Sequence, residues 1–422
     1  MSPLRVAYIL QYFPRLTETF VADEIRSIRA RGVDVQIISL LTPRSGLVSP
    51  TSRQLLTSTW YVPGPFSLRL WRDQISFLRK SPMLYRRLLV TLLTQPYSGN
   101  RLTLFLKRLM TFFKGVAAAS HLSGTDVDLL HAHFAWLPAA AAWICARLLA
   151  KPFTVTVHAY DLYSQKNDLA PLIVREATHL IAISEFNKAH LLSLRAAGAG
   201  ISVIHCGVDL AGPEPSLDTR AGMAANTPLR ILSVGSLVEK KGHRFLISAC
   251  RILQEQGVDF TCTIIGAGPQ EAELRRQIVT SQLAERVELL GARTHPEVLA
   301  SYPAHDLFTL PSVVTADGDR DGIPVVLIEA GSAGLPLIST CVSGIPELVL
   351  HQQTGWLVPP GDALALAEAI RTLALDPALR ARLGQNARTL VQDRFNIQST
   401  SAQLEEVFQA THREWAGHAD IV

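Results

Sequence analysis

The sequence predicts an α/β protein built from two Rossmann-like, doubly wound domains, and three observations carry that prediction. At 422 residues the chain is too long for one compact core. Short apolar runs alternate with helical stretches, the pattern of parallel sheets with crossover helices. The alternation stops at Leu210–Pro228, rich in Gly, Pro, Ala and Asp, and then begins again.

In the first half, a strand at Arg5–Leu10 leads through the loop Gln11–Thr19 to a helix near Phe20–Arg31. Gly32 stops that helix and a strand follows at Asp34–Leu40. Further strands fit Leu129–His131, Phe153–Val157, His179–Ala182 and Ser202–Ile204. The second half reads as a strand at Arg230–Val234, a helix over His243–Gln256, a strand at Phe260–Ile265 and a helix over Gln270–Gln282. Strands at Val287–Leu289 and Leu307–Leu310, a helix from Pro324 and a strand at Leu337–Thr340 complete it. The expected boundaries are a first domain at 1–209 with a basic helical insertion at 66–115, a linker at 210–228 and a second domain at 229–395. A terminal helix near Ala402–Ala416, within 396–422, is placed to pack back across the first domain.

Composition narrows the class. Apolar residues make up 48% and charged residues 18%, a globular balance rather than a disordered one. The five cysteines are scattered and none pair at metal-ligand spacing, which argues against a disulfide framework or a structural zinc site and suits a reducing cytoplasm. The N-terminus lacks a signal-peptide layout. The most apolar of the longer stretches, Phe134–Ala150, contains Pro138 and Arg147 and is too short to span a bilayer. Residues 1–200 carry 23 Lys/Arg against 11 Asp/Glu, while the rest of the chain is acidic, so the first half is expected to face something anionic. Within it, Phe66–Lys114 carries ten Lys/Arg and one acid, Asp73, interleaved with aromatic and leucine residues. Such a region can lie on an anionic membrane surface, or pack its apolar face inward and leave a solvated basic face.

The most informative run is Asp317-Gly-Asp-Arg-Asp321-Gly322-Ile323-Pro324, continuing through Val325 and Val326 to Glu329. It reads as a loop entering a helix. Pro324 suits the first turn because its missing N–H would be unpaired there anyway. Gly322 lets backbone approach a ligand. The free N–H groups of Ile323, Val325 and Val326, at the positive end of a helix, suit a diphosphate. Glu329 is placed to accept two ribose hydroxyl hydrogens, and Asp321 to grip sugar hydroxyls.

This run resembles the signature of the family 4 retaining glycosyltransferases, whose GT-B architecture faces two Rossmann-like domains across a cleft. In that family two acids separated by seven residues bind the transferred hexose and the donor ribose; Asp321 and Glu329 hold those positions. Asp321 is one methylene shorter than the usual Glu. The stretch Ile231-Leu-Ser-Val-Gly235-Ser236, continuing to Lys240-Lys241-Gly242, resembles the family's diphosphate loop. Lys241 matches its Lys, whereas Ser236 stands where the family has Arg; Lys240 or Arg320 is placed to compensate. The glycine turn at Gly266–Gly268 and the stretch Leu290–Arg293 resemble the loops around the base, with Leu290 and Ala292 as backbone contacts.

In the first half, His158 in Thr154–Asp161 resembles the family's strand-end histidine facing the transferred sugar. His131 and His133 resemble a second feature near the cleft. Their i, i+2 spacing suggests a metal, but no third ligand is apparent. The loop Phe13–Phe20 lacks the family's Gly-Gly and resembles a subgroup linked to exopolysaccharide assembly; Thr17, Glu18 and Thr19 are its candidate acceptor or phosphate contacts.

The resemblance implies transfer of a hexosyl unit from a UDP- or GDP-sugar to a hydroxyl, with retention, on a lipid-linked or polysaccharide acceptor. Lys241 and the helix amides would carry the leaving diphosphate, His158, Asp321 and Lys241 forming the catalytic set. No obligatory metal is implied, and Asp317-Gly-Asp319 is not in the expected setting for one. The implied partners are a nucleotide-sugar, a glycan or lipid-linked acceptor and an anionic membrane surface at 66–115, with no nucleic acid; the implied location is cytoplasmic and peripheral on the inner membrane face. The competing readings are a sugar-nucleotide epimerase of the same fold and a non-catalytic nucleotide-sugar-binding subunit.

Overall fold

The structure, a computed structural model, describes residues 3–15, 18–43, 50–164, 168–194, 200–210 and 227–419. The chain divides into two compact units: Met1–His205 with Thr400–Val422, and Cys206–Ser399. The expected boundaries at 209 and 396 therefore shift. Val208 pairs with the segment Phe395–Ile397, donating to the Phe395 carbonyl (2.8 Å) and accepting from the Ile397 amide (3.0 Å). Residues 211–226, most of the expected linker, lie outside the described residues.

Unit 1 holds a seven-stranded parallel sheet: β1 (Arg5–Tyr12), β2 (Asp34–Leu41), β3 (Thr59–Tyr61), β4 (Leu129–His133), β5 (Phe153–Val157), β6 (His179–Ala182) and β7 (Gly200–Val203). Its order is β3-β2-β1-β4-β5-β6-β7. The edge strand β3 is three residues long, too short for its alternation to register in the sequence. Its strands β4 and β5 are buried at every position, as expected of a parallel sheet covered on both faces. The apolar Phe134–Ala150 stretch becomes the helix Leu137–Leu149, buried along Leu137–Ala146. The terminal helix runs Ile397–Ala419, longer than expected, and packs beneath β1 and β4: Phe408 lies 6.3 Å from the Tyr8 ring and 5.0 Å from the His131 ring.

The insertion is three helices, Leu68–Lys80, Pro82–Leu93 and Arg101–Leu122. Two of its ten cations are interior. Arg108 pairs with Asp168 at 2.6 Å, and Lys114 donates to the Leu40 carbonyl, its pKa pushed down to about 8 by burial. The lone acid, Asp73, is buried and accepts from Ser120 (2.9 Å).

Unit 2 holds a six-stranded parallel sheet: β8 (Leu229–Val234), β9 (Phe260–Ile265), β10 (Val287–Gly291), β11 (Leu307–Leu310), β12 (Leu337–Thr340) and β13 (Gly355–Val358). Its order, β10-β9-β8-β11-β12-β13, is the doubly wound dinucleotide-fold order. In both sheets the order reverses beside the first strand, between β1 and β4 and between β8 and β11. Ligands of open α/β sheets bind outside the carboxyl ends of the strands at such a reversal. Among the described residues no helix is long and apolar enough to cross a membrane.

Candidate functional site

In unit 2 the predicted residues gather at the carboxyl edge of the sheet, around the β8–β11 reversal. After β8 the chain turns through Gly235 and Ser236 into Glu239–Lys241, and Gly242 begins the helix His243–Glu255. Gly242 has φ +69°, and a side chain there would run into the Pro311 carbonyl after β11. Gly266, φ +155°, approaches the Gly235 carbonyl just as closely. Both glycines bring three strand ends together at backbone distance.

Two ion pairs join the β8 turn to the loop after β11. Lys240 Nζ lies 3.0 Å from Asp319 Oδ1, and Lys241 Nζ lies 2.9 Å from Asp321 Oδ1. Ser312 donates to the other oxygen of Asp321 (2.8 Å). Burial alone would raise the Asp321 pKa. The ammonium groups of Lys241 and Lys240, with the hydrogen bonds from Lys241 and Ser312, outweigh it and hold the carboxyl below its ordinary value. Lys240 is thus engaged with Asp319, and Arg320 Nε donates to the Gly318 carbonyl (3.1 Å). Asp317 accepts from Thr315 Oγ1 (2.6 Å).

The helix begins at Val325, one residue later than expected. Pro324 is its N-cap, with extended backbone (ψ 127°), and its carbonyl accepts from the Leu327 amide (2.9 Å). Asp321, Gly322, Ile323 and Pro324 are buried and Val325 and Val326 half-buried. The opening amides have no partner within a helix, as at any helix start.

Glu329 sits within the helix, buried, with both oxygens engaged: His295 Nε2 lies 2.8 Å from one and Tyr302 Oη donates to the other at 2.8 Å. Burial, and then the Glu329 charge, raise the Tyr302 pKa well above its ordinary value and keep it a donor. Leu290 is half-buried and Ala292 exposed at the end of β10. Ser236 is half-buried beside the Lys241 turn. Beneath them lies His243, whose pKa is held down to about 4 by burial and by Lys241.

In unit 1, residues at the β1–β4 reversal form a buried imidazole cluster. His131 is bracketed by the hydroxyls of Thr154 (Nδ1, 2.8 Å) and Thr156 (Nε2, 3.3 Å). His133 Nε2 lies 3.0 Å from Glu24 Oε1, and its Nδ1 lies 3.2 Å from His158 Nε2. Burial, with His133 beside them, pushes the pKa values of His131 and His158 well below the ordinary histidine value. The His158 backbone amide donates to Asp161 (2.8 Å), whose own pKa burial lifts to about 7. The structure thus supplies the third donor for His131 and His133 that spacing did not reveal: Glu24 reaches both within 4.8 Å. Each of these groups nonetheless already has a protein partner. Glu18 is half-buried, its pKa raised by burial against the pull of Arg15, and Thr19 opens the Thr19–Ala30 helix; Thr17 lies outside the described residues.

Comparison with known proteins assigns the family. The model for group 1 glycosyl transferases matches residues 218–390, and that for glycosyltransferase family 4 matches residues 17–211. The putative colanic acid biosynthesis glycosyltransferase WcaL of Escherichia coli is 33% identical, covering 96% of this chain and 100% of its own. This chain belongs to the family 4 glycosyltransferases.

The amylovoran biosynthesis glycosyltransferase AmsK of Erwinia amylovora is 32% identical over 96% of this glycosyltransferase and 99% of its own length. The crystal structure of Anabaena HepE in complex with UDP superposes with TM-score 0.70 at 19% identity, covering 96% of this chain and all of HepE. Sucrose-phosphate synthase from Thermosynechococcus elongatus gives TM-score 0.71 at 21% identity, over 97% and 99% of the two chains. The fold is GT-B, and the glycosyltransferase relatives do not favour the epimerase reading.

Sequence reasoning missed His295, Tyr302, His243 and Glu24 in this glycosyltransferase. Three of them have no local signature, because their partners are remote: Glu329 lies 34 residues from His295 and 27 from Tyr302, and His133 lies 109 from Glu24. His243 alone was within reach, since it directly follows the Lys241-Gly242 pair that the motif singles out.

Proposed function

We propose that this glycosyltransferase moves a hexosyl unit, with retention, from a UDP- or GDP-sugar to a hydroxyl of a lipid-linked intermediate in exopolysaccharide assembly. The observation that carries the donor side is the Lys241–Asp321 pair at the reversal of the second sheet, next to the Val325 helix start. A diphosphate entering there would meet the Lys241 ammonium and the opening amides, fixed charges and dipoles that stabilise a leaving group without reorganising. Lys241 is shared between Asp321 and the β-phosphate, so the short Asp321 aims the cation while its remaining lone pairs take a sugar hydroxyl. His295 and Tyr302 hold Glu329 in one orientation, leaving further lone pairs for the ribose hydroxyls. With the departing charge met by these groups, no obligatory metal enters the reading. HepE has been solved with UDP and with UDP-glucose, and WcaL and AmsK are named for colanic acid and amylovoran biosynthesis, which supports the donor class and pathway proposed here.

The acceptor side rests on the insertion. Leu68, Trp71, Ile75 and Leu78 recur at helical spacing along Leu68–Lys80 and are all exposed, with Phe66 just before them. Met83 and Val90 are exposed on the second helix, and Leu102, Phe105 and Leu106 on the third. Eight of the ten insertion cations, all but Arg108 and Lys114, are exposed among them. An apolar stripe flanked by Arg and Lys suits the headgroup layer of an anionic bilayer, which supports a peripheral location on the inner membrane face, beside a lipid-linked acceptor.

The test incubates the full chain with UDP- and GDP-sugars, with and without lipid extract, and follows nucleotide release. Release that depends on the extract is expected. An epimerised sugar, or donor binding without turnover in any combination, would overturn the reading. For the membrane, replacing Arg72, Arg79, Arg86 and Arg87 with Gln should weaken binding to phosphatidylserine vesicles by about 1 kcal/mol each, read by co-sedimentation. Unchanged sedimentation counts against that surface.

A further inference from the structure

The first sheet ends in an open edge. Among the described residues β7 pairs with β6 on one side only, Ile201 lying beside Leu180 and Val203 beside Ala182. The Ile204 amide, just past the strand, donates to the Ala182 carbonyl (2.9 Å). Backbone groups turn to alternate sides along a strand, so Ser202 shares that inward direction and the N–H and C=O groups of Ile201 and Val203 point away from the sheet. Both faces of the strand are already covered. Ile201 and Val203 pack against one core cluster and Ile204 belongs to the other, so what stays open is the edge itself. Sheet edges are commonly blunted by charged side chains, proline or a bulge. Apart from its shortness, Gly200-Ile-Ser-Val203 has none of these.

A groove of about 620 Å³ lies against this edge, wholly within unit 1. All four residues from Ile201 to Ile204 line it, and two helices form its walls, Glu185–Leu194 on one side and the terminal helix on the other. Among the described residues its charged lining is three acids, Glu185, Glu406 and Glu414, against one cation, Lys188, which lies 3.8 Å from Glu185. That acidity runs against the surroundings, since residues 1–200 carry 23 Lys/Arg and 11 Asp/Glu. Thr411 also lines the groove; it is 2% exposed, and its hydroxyl has no hydrogen-bond partner among the described residues. Buried hydroxyls are normally paired, so this one points to a polar group that arrives with a ligand.

We propose that this groove docks an extended, basic peptide segment of a partner protein, which joins the seven-stranded sheet as an eighth strand beside β7. The segment's backbone meets the outward N–H and C=O groups of Ile201 and Val203, and its Lys or Arg side chains meet Glu406 and Glu414 on the terminal helix. Side chains of an extended chain alternate between faces, so cations at every second position reach the same wall. A second copy of β7 is a poorer occupant, because it would set two acidic walls against each other. The proposal is independent of the donor and acceptor readings, since none of these residues serves either.

The test titrates the full chain into a fluorescein-labelled peptide of alternating Lys and Val and reads anisotropy. Its companions are the Glu–Val counterpart and two basic peptides methylated on the backbone nitrogens of the Lys or of the Val positions. The basic peptide should saturate and the acidic one should not. One methylation pattern should weaken binding about ten-fold and the other leave it nearly unchanged, because only every second amide faces β7. Joint replacement Glu406→Lys and Glu414→Lys, with the circular dichroism unchanged, should weaken the basic peptide by about ten-fold or more. Equal effects of the two methylation patterns, equal binding of the acidic peptide, or no saturation up to about 1 mM overturns the proposal. So does unchanged affinity in the folded double variant; should that variant not fold, the methylated pair decides on the wild-type chain. Self-association of the wild-type chain that the basic peptide does not displace, seen by sedimentation and lost in Val203→Pro, would give the edge to a second copy instead.

Discussion

The two sheet reversals make an instructive pair. Both lie between the first and fourth strands of a parallel sheet, and both collect polar side chains from loops and helices distant in sequence. At β8–β11 the groups are charged: Lys240 with Asp319, and Lys241 with Asp321. At β1–β4 the core of the cluster is imidazole, with His131 and His158 kept neutral by burial, and one carboxylate anchors the far end. One topology thus builds a charged cluster in one unit and a largely neutral one in the other; on the proposed reading the charged cluster meets the leaving diphosphate. The turn after the first strand delivers the lysines in unit 2, whereas the helix after the first strand delivers the glutamate in unit 1.

Several substitutions would break or sharpen this contrast. The largest effect is expected where charge meets charge. Lys241→Ala removes the cation and strands the buried Asp321, and should lower kcat/KM for the donor about 100- to 1,000-fold. A loss below ten-fold in nucleotide release would mean that the second reversal does not work through charge. Next, Glu329→Ala should raise the donor KM about 10- to 100-fold, the worth of one or two hydrogen bonds to a charged group. Tyr302→Phe should move it in the same direction by less, and titrating donor into both variants measures the ratio. Ser236→Arg restores the cation usual in the family and should tighten donor binding about ten-fold, the worth of one charge-assisted bond; weaker binding by calorimetry would show that the turn has no room for a second cation.

The smallest effect is thermodynamic. The Asp321 pKa is depressed in the folded state, so its contribution to stability is complete above the unfolded carboxyl value of about 3.9 and disappears as pH falls through the lower folded value. Asp321→Asn should therefore unfold with a shallower acid dependence below about pH 4. Parallel acid limbs for the two proteins in urea titrations would contradict the pairing.

Much of this was legible in the sequence, for reasons that particular residues make plain. Strands such as Phe260–Ile265 and Leu307–Leu310 are short, apolar and bounded by turn residues, so their ends coincide with expectation. The Asp321–Glu329 spacing and Lys241-Gly242 are local patterns and can be read directly. What escaped is whatever tertiary structure alone brings together. Lys241 and Asp321 were both singled out, yet nothing local says that residues 80 positions apart pair. Arg108 and Lys114 looked like members of a solvated basic face because charge counting is blind to which side of a helix faces inward. Glu24 carried no local signature at all; only the tertiary structure sets His133 of β4 against it.

The terminal helix has a consequence for the order in which the protein is made. Unit 1 is discontinuous: its final piece, Thr400–Val422, is synthesised only after the whole of unit 2. Phe408, the ring that closes over Tyr8 and His131, leaves the ribosome about four hundred residues after the strand that carries Tyr8. Domains fold as units during synthesis, so the second half can reach its native state while the first still waits for its last helix. The nascent first sheet must then spend most of translation with that face uncovered, which is the interval in which a chaperone has surface to hold.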